Sequence, residues 1–130
     1  MPATYLDSSA LVKLVVSEPE SSALRRYIRR RRPLVSSALA RTEVLRAVLL
    51  EGDVGVARAR DVLSSIDLIR LNSRVLDAAG VLRPHDVRSL DAIHLATALQ
   101  LGADLGVLVT YDERMLQAAR SIGLRAHAPH

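Results

Sequence analysis

Short apolar runs alternate along this chain with longer stretches in which apolar residues recur every three or four positions. Such runs are typical of strands buried in a parallel sheet, and the longer stretches are typical of helices with one apolar face. The pattern predicts strands at residues 3–6, 34–35, 68–71, 105–109 and, at a sheet edge, 124–128. It predicts helices at residues 10–16, 19–32, 38–51, 54–66, 73–82, 90–101 and 113–122.

Strands that alternate with helices in this way indicate an α/β fold. Parallel strands joined by helices build a sheet that is covered on both faces. We therefore expect a single domain over residues 1–130, a three-layer α/β/α sandwich with a central parallel sheet of about four to five strands. The chain is 49% hydrophobic but only 2% aromatic, with no Phe or Trp, so Leu, Val, Ile and Ala must form the core.

Helix boundaries are predicted from residues that favour helix ends. Pro19 suits a first helical position, Ser36 or Ser37 can cap the helix that Gly52 ends, and Asp112 can cap the last helix. The best-marked helix follows Arg88. Its predicted N-cap is Ser89, its predicted end is Gly102, and its predicted core-facing residues are Leu90, Ile93, Thr97 and Leu101.

A cap at Ser89 makes Asp91 the second residue of that helix. Free amide groups and the helix dipole favour a negative charge there, so the carboxylate stays ionised on a rigid element. Asp91 is thus placed as a metal ligand would be. An acid in a first turn also stabilises a helix without any ligand, and both interpretations remain open at this point.

Charge and composition narrow the range of functions. The net charge is +4 with a sequence pI near 10.3, and every cation except Lys13 is an Arg. Six Arg lie between Arg25 and Arg32, either as a solvated helix end or as a contact for phosphate or an acidic partner. The absence of Cys, of a secretory signal and of a long apolar run favours a soluble, cytoplasmic protein.

Three acids are expected to meet at one edge of the sheet. Asp7 and Asp112 each follow a predicted strand, and ligands of open parallel sheets bind beyond the carboxyl ends of strands. If those strands are neighbours, the two acids share a crevice with Asp91. Clustered carboxylates repel one another, and a divalent cation relieves that repulsion, so we predict a site for a hard metal ion. The alternatives are a turn acid for Asp7 and a helix cap for Asp112.

Four segments of the chain resemble the PIN domain, and most closely the VapC-type toxins of bacterial toxin–antitoxin pairs. The segments are residues 6–9, Glu43, residues 89–98 and residues 109–112. The resemblance implies that Asp7, Glu43, Asp91 and Asp112 bind Mg²⁺ or Mn²⁺ for RNA cleavage. It also implies a homodimer and a cognate VapB-like antitoxin, in a heterotetramer or larger complex.

Only the resemblance selects Glu43, because a helical Glu followed by Arg46 is more often a surface ion pair. Ser8, Ser9 and Thr110 can either cap helices or support the metal ligands through hydrogen bonds. His94 lies three residues after Asp91, so a ligand or proton-transfer role is conceivable, but a packed, hydrogen-bonded histidine is the expected state.

The expected reaction is hydrolysis of RNA by a metal-activated water, with no side-chain nucleophile. The resemblance implies products with a 5′-phosphate and a 3′-hydroxyl, and an antitoxin segment across the groove that contacts early helices around Leu14, Leu24 and Ile28. A haloacid dehalogenase-type phosphatase is excluded because Ser9 stands where its second Asp belongs. The alternatives are a non-catalytic PIN-like module that binds RNA or protein, and a PIN-type nuclease outside any toxin–antitoxin system.

Overall fold

The computed structural model of the chain describes residues 2–130. Five strands form one sheet in the order β3-β2-β1-β4-β5, and each neighbouring pair is parallel. The strand β1 therefore lies at the centre of the sheet. The strands are β1 (Ala3–Leu6), β2 (Leu34–Ser37), β3 (Asp67–Ile69), β4 (Leu105–Val109) and β5 (Ala126–His127).

Helices cover both faces of this sheet. They are α1 (Ser8–Val15), α2 (Ser21–Ile28), α3 (Ala40–Ala47), α4 (Gly52–Ser64), α5 (Ser73–Gly80), α6 (Ser89–Gln100) and α7 (Glu113–Ser121). On one face, Leu6 and Val109 pack with α1 to α4, and on the other, Tyr5 and Leu108 pack with α6 and α7. The alternation of side chains along β1 and β4 thus fills two core layers, which confirms the predicted three-layer α/β/α sandwich.

Helix α6 differs in two respects from the prediction. Arg88 is its N-cap and makes no side-chain capping bond, so Ser89 is the first helical residue and Asp91 the third. The predicted core-facing position of Leu90 is also wrong, since that residue is 48% exposed, whereas Thr97 is buried as predicted. Because α6 packs against α5 as well as against the sheet, its buried surface is broad and runs through Ala92, His94, Leu95, Ala96, Thr97 and Ala98. Gly102 has φ +52°, which confirms the predicted left-handed helix end.

The structure also differs from the predicted start and end of the third helix. Ser36 and Ser37 belong to β2 and do not cap α3, which begins at Ala40. The predicted helix up to Gly52 is interrupted after Ala47, and Gly52, with φ +71°, begins α4.

The start of α2 is fixed by a serine and not by Pro19. The buried Ser21 hydroxyl accepts from Glu18 N at 2.9 Å and donates to Lys13 O at 2.7 Å, so the helix begins at Ser21, beyond the proline. Leu24 and Ile28 of α2 are buried in the core, whereas Leu14 of α1 is half-buried, and contact of an antitoxin with the early helices around these residues stays a prediction.

The sheet topology places the predicted acids at one edge. The chain passes from β1 outward to β3 and returns on the other side of β1 as β4, so strand order reverses between β1 and β4. Leu6 pairs with Val109 in register, and Asp7 N donates to Val109 O at 3.1 Å. The strands before Asp7 and Asp112 are therefore neighbours, as expected, and a crevice forms beyond their carboxyl ends.

The arginine run begins in α2, where Arg26 lies in a pocket with His127 and His130. All six side chains are exposed, and within residues 2–130 none of them forms an ion pair. The guanidinium of Arg31 lies 3.9 Å from the centre of the Tyr27 ring. The run leads through Pro33 into the amino end of β2, whereas the acids follow the carboxyl ends of β1 and β4. No helix in the same described range is long and apolar enough to cross a membrane.

Candidate active site

Asp7 is the most constrained acid of the site. It follows β1 in an extended conformation and caps α1, because its Oδ1 accepts from Ala10 N at 3.0 Å. The same oxygen accepts from Ser9 Oγ at 2.6 Å, and Oδ2 accepts from Thr110 Oγ1 at 2.5 Å. Burial, with only 3% of the residue exposed, raises the pKa of Asp7 above its usual value, and hydrogen bonds from Ser9 and Thr110 offset part of that rise.

Two hydroxyl groups join the two strand ends at this point. Ser9 Oγ donates to Asp7 and accepts from Tyr111 N at 2.9 Å. Thr110 Oγ1 donates to Asp7 and accepts from Asp112 N at 3.1 Å. Each hydroxyl thus uses both its donor and its acceptor capacity between β1–α1 and β4–α7. This geometry places Ser9 and Thr110 behind the acids, where the sequence predicts supporting residues.

Asp112 caps α7, as predicted. Its Oδ1 accepts from Arg114 N at 2.9 Å and from Met115 N at 3.2 Å. Among residues 2–130 its Oδ2 makes no hydrogen bond, so one oxygen of the capping carboxylate is left for another ligand. The cap and a ligand role therefore do not exclude each other, because they use different oxygens.

Asp91 lies in the first turn of α6 and faces the same crevice. Burial raises the pKa of the half-buried Asp91 carboxyl, and the charges of Asp112 and Asp7 raise it further. Its carboxylate makes no hydrogen bond within the described residues. The structure thus brings three carboxylates within electrostatic reach of one another, as the sequence predicts.

Glu43 reaches this edge from α3. Its Oε1 accepts from Ser8 Oγ and from His94 Nε2, both at 2.6 Å, so the predicted default of a surface pair with Arg46 is wrong. Burial raises the pKa of Glu43, but hydrogen bonds from His94 and Ser8 outweigh burial and leave this pKa below its usual value. Glu43 is therefore ionised, and it is joined to α1 and α6 by hydrogen bonds.

His94 is buried and fully hydrogen-bonded, as expected, but one of its partners was not predicted. Its Nδ1 lies 2.6 Å from the hydroxyl of Tyr5, which is fully buried in β1. Burial, with a smaller contribution from the charge of Asp7, raises the pKa of Tyr5 well above its usual range. The sequence did hold a signal, because a buried Tyr needs a polar partner and His94 is on the helix that covers the same face.

The acids suit a divalent cation by donor type and by charge. Carboxylate oxygens are the ligands that Mg²⁺ and Mn²⁺ prefer, and a cation would relieve the repulsion that raises the pKa of Asp91. Within the part of the chain that is described, no three Asp, Glu or His side chains are arranged to hold one metal ion as they stand. The chemistry of the donor set fits the ion, and binding would require side-chain rotation.

A groove opens beside Asp91. It has a volume of about 630 Å³ and lies between the loop before α6 and the helix α7. The exposed side chains of Arg88 and Arg114 line it together with Asp91 and Asp86. Asp91 therefore borders an open groove that also carries cationic side chains.

The family of the chain follows from its similarity to known proteins. The PIN domain matches residues 4–121, so the chain belongs to the PIN-domain family. It is 59% identical over 129 residues to Ribonuclease VapC46 of Mycobacterium tuberculosis (strain ATCC 25618 / H37Rv), with 99% of each chain covered. It is 39% identical over 130 residues to Ribonuclease VapC47 of Mycobacterium tuberculosis (strain CDC 1551 / Oshkosh), with 96% of each covered. Within the PIN-domain family it belongs to the VapC group.

Solved structures share the fold. A toxin-antitoxin complex from Klebsiella pneumoniae contains a chain that superposes with a TM-score of 0.76 at 21% identity, with 98% of each chain covered. The sarcin-ricin loop cleaving toxin VapC20 of Mycobacterium tuberculosis superposes with a TM-score of 0.75 at 17% identity, with 97% of this chain and 99% of VapC20 covered. At these identities the similarity establishes the PIN-like fold.

Proposed function

We propose that this protein is a metal-dependent endoribonuclease that acts as the toxin of a toxin–antitoxin pair. The observation that carries the proposal is the convergence of Asp7, Asp91 and Asp112 at the strand switch between β1 and β4. Glu43 joins them through its hydrogen bonds to Ser8 and His94. The relatives VapC46 and VapC47 are named ribonucleases, and the full-length similarity to both supports the same activity here.

Asp7, Glu43, Asp91 and Asp112 would hold Mg²⁺ or Mn²⁺. Such an ion supplies Lewis-acid polarisation of a phosphate oxygen and lowers the pKa of a water molecule. Asp7 is held in place by three hydrogen bonds and cannot turn away, while Asp91 is free to rotate towards a ligand. Ser9 and Thr110 hold Asp7 in its orientation, which is the role of hydrogen-bonding partners behind metal ligands.

The nucleophile in this proposal is water. The hydroxyls of Ser8 and Ser9 both donate to carboxylates, and His94 is buried with both ring nitrogens occupied. None of them is paired as a nucleophile with a free base. Attack by water on the phosphorus with cleavage of the bond to the 3′ oxygen, which takes up a proton as it leaves, would give a 5′-phosphate and a 3′-hydroxyl, the products that the resemblance to VapC-type toxins implies.

The groove beside Asp91 supports RNA as the substrate. Arg88 and Arg114 flank the acids there, where cationic side chains can neutralise backbone phosphates on either side of the scissile bond. Membership of the VapC group, with a toxin-antitoxin complex among its structural neighbours, supports a VapB-like antitoxin as partner. The toxin homodimer within a larger complex is proposed on the resemblance to VapC-type toxins.

The first experiment measures metal-dependent cleavage. Protein freed of any antitoxin is incubated with a pool of structured RNAs, with Mn²⁺ or Mg²⁺ and with excess EDTA, and the products are mapped by sequencing of their ends. We expect cleavage with metal, none with EDTA, and recovery when metal is restored. Undiminished cleavage in EDTA would overturn the metal dependence. RNA binding without cleavage under every metal condition would identify a non-catalytic module.

A further inference from the structure

A hydrogen-bonded chain runs from the interior of the sheet to the candidate active site. Tyr5 in β1 contacts His94 Nδ1 at 2.6 Å, and His94 Nε2 contacts Glu43 Oε1 at 2.6 Å. These hydrogen bonds link β1, α6 and α3, which are distant in sequence, since Tyr5 is 89 positions from His94 and His94 is 51 positions from Glu43. Tyr5 and His94 are both buried, whereas the side chain of Glu43 is 23% exposed.

The donor and acceptor capacities of Tyr5, His94 and Glu43 restrict where the protons of this hydrogen-bonded network can lie. An ionised carboxylate only accepts hydrogen bonds, so His94 Nε2 must carry the proton that it shares with Glu43. In a neutral imidazole the other nitrogen is then an acceptor, and the Tyr5 hydroxyl donates to Nδ1. The geometry is consistent with one tautomer throughout.

Glu43 is held at one oxygen only. Ser8 Oγ and His94 Nε2 both contact Oε1, and Oε2 makes no hydrogen bond within residues 2–130. Two donors on one oxygen fix the rotation of the carboxylate while they leave the second oxygen without a protein partner. This is the arrangement that a carboxylate needs if its second oxygen is to reach a cation.

We propose that His94 and Tyr5 are positioning residues of this site: Tyr5 holds His94 as its Nε2–H tautomer, and His94 holds Glu43 ready for a divalent cation. This inference rests on the proposed function, since it assigns the orientation of one of its four acids. It accounts for the burial of Tyr5 and His94 side by side in a core that, over residues 2–130, has no other buried aromatic ring.

The tautomer is tested in the metal-free protein. Nitrogen NMR of ¹⁵N-histidine-labelled protein distinguishes a protonated from an unprotonated ring nitrogen. We expect His94 to carry its proton on Nε2 in the native chain. Tyr5→Phe removes only the hydroxyl and should produce a mixture of tautomers, while Tyr27→Phe, whose hydroxyl makes no hydrogen bond within the described residues, should leave His94 unchanged. A ring that carries a proton on Nδ1 in the native protein would overturn the proposal.

The link to Glu43 is tested by Mn²⁺ affinity, measured by electron paramagnetic resonance without RNA. His94→Leu should weaken Mn²⁺ binding by at least about tenfold, as loss of a partner behind a metal ligand does. His94→Gln, which can still present an amide N–H to Glu43, should recover most of that loss. Thermal unfolding of each variant shows whether the fold has survived.

A double-mutant cycle separates positioning from general destabilisation. In a Glu43→Gln background, His94→Leu should change Mn²⁺ affinity by less than about twofold, because the acid that His94 orients is already gone. Equal losses in the two backgrounds would overturn the positioning role. If the native protein neither binds Mn²⁺ nor cleaves RNA, the proposed function fails instead. Native binding and cleavage with unaffected His94 variants would refute this inference alone.

Discussion

At the scale of single residues, the four acids differ mainly in how tightly they are held. Asp7 accepts three hydrogen bonds and is almost fully buried, whereas Asp91 accepts none and is half-buried. A site with one rigid acid and one mobile acid combines a fixed position for a cation with freedom to adapt to its substrate. Substitutions at the two positions should therefore have different consequences for stability.

The support for Asp7 is tested by Thr110→Val. The substitution keeps the shape of the side chain but removes a buried hydroxyl that bonds both Asp7 and the backbone of Asp112. We expect the free energy of unfolding to fall by about 1.5–3 kcal/mol, the typical contribution of a hydrogen bond to a charged group, and Mn²⁺ affinity to fall by about tenfold. Thr110→Ser keeps the hydroxyl and should restore Mn²⁺ affinity. Urea unfolding and Mn²⁺ titration give the two values, and an unchanged Mn²⁺ affinity in Thr110→Val would refute the supporting role.

Asp91→Asn should weaken Mn²⁺ binding without lowering the free energy of unfolding. The neighbouring charges and burial raise the pKa of Asp91, so its ionised form is disfavoured in the folded protein at neutral pH, despite the favourable helix dipole. Removing the charge should therefore leave the stability unchanged or increase it, while Mn²⁺ affinity falls at least about tenfold.

The matched control for this change is Asp61→Asn on the exposed surface of α4. It should alter neither stability nor Mn²⁺ affinity. If both variants bind Mn²⁺ equally well, Asp91 is not a ligand, and the raised pKa reflects crowding of charge alone.

The sequence identified three of these acids by physical reasoning but not Glu43. Asp7 and Asp112 directly follow strands, and Asp91 begins a well-marked helix, so their shared edge follows from topology. Glu43 lies inside α3, and its hydrogen-bond partner His94 is 51 residues away in the sequence. The local sequence pattern cannot distinguish such a contact from an ion pair with a residue of the same helix. Long-range partners such as His94 become visible only when the helices are packed.

At the scale of secondary-structure elements, the residue that caps α7, Asp112, is also one of the four acids proposed to bind metal. Asp112 stabilises the first turn through Oδ1 and keeps Oδ2 free. Serine is about as good an N-cap as aspartate but carries no charge, so substitutions at this position separate the two roles.

Asp112→Ser should keep the free energy of unfolding within about 0.5 kcal/mol of the native value, since serine preserves the cap. RNA cleavage should nevertheless be lost. Asp112→Ala removes cap and carboxylate together and should cost about 1 kcal/mol in addition. Urea unfolding and a cleavage assay on both variants test this. Native-like cleavage by Asp112→Ser would show that the residue is a cap and nothing more.

Errors in the predicted elements arise where tertiary packing overrides local pattern. The apolar residues after Ala47 continue a helical spacing, yet the chain leaves the helix at Val48, which is fully buried, and Leu50 beyond it is fully exposed. Likewise α6 packs against α5, the sheet and α7, so its buried surface is wider than the single stripe expected of a helix at the protein surface. The buried strands β1 and β4 match their predicted bounds because a strand buried on both faces is a continuous apolar run, whereas the edge strands β3 and β5 are less buried and their predicted bounds, 68–71 and 124–128, differ from the structure.

At the scale of the whole molecule, charge is distributed unevenly between the two edges of the sheet. The acids follow the carboxyl ends of β1 and β4, while the arginine run precedes the amino end of β2. Within residues 2–130 none of the six exposed arginines forms an ion pair with these acids, although all six contribute to the net charge of +4. In the proposed function, an inhibitor that replaces the metal ion among these acids has to supply positive charge of its own.

That requirement determines how an antitoxin and a metal ion should influence each other. An Arg or Lys inserted among Asp7, Glu43, Asp91 and Asp112 would pair with the carboxylates in place of the cation. Binding of the antitoxin and binding of metal should then be mutually exclusive or strongly anticooperative, and by linkage each must weaken the other to the same extent.

The experiment titrates the C-terminal segment of the cognate antitoxin into the toxin at rising Mn²⁺ and follows binding by calorimetry. If one site is shared, the apparent dissociation constant of the antitoxin should rise in proportion to Mn²⁺ once the metal exceeds its own dissociation constant. Asp91→Asn should reduce this dependence, because it weakens the competing metal, while Asp61→Asn should not. An antitoxin affinity that is the same from zero to saturating Mn²⁺ would mean that inhibition does not use the acids and instead blocks access of RNA to the groove.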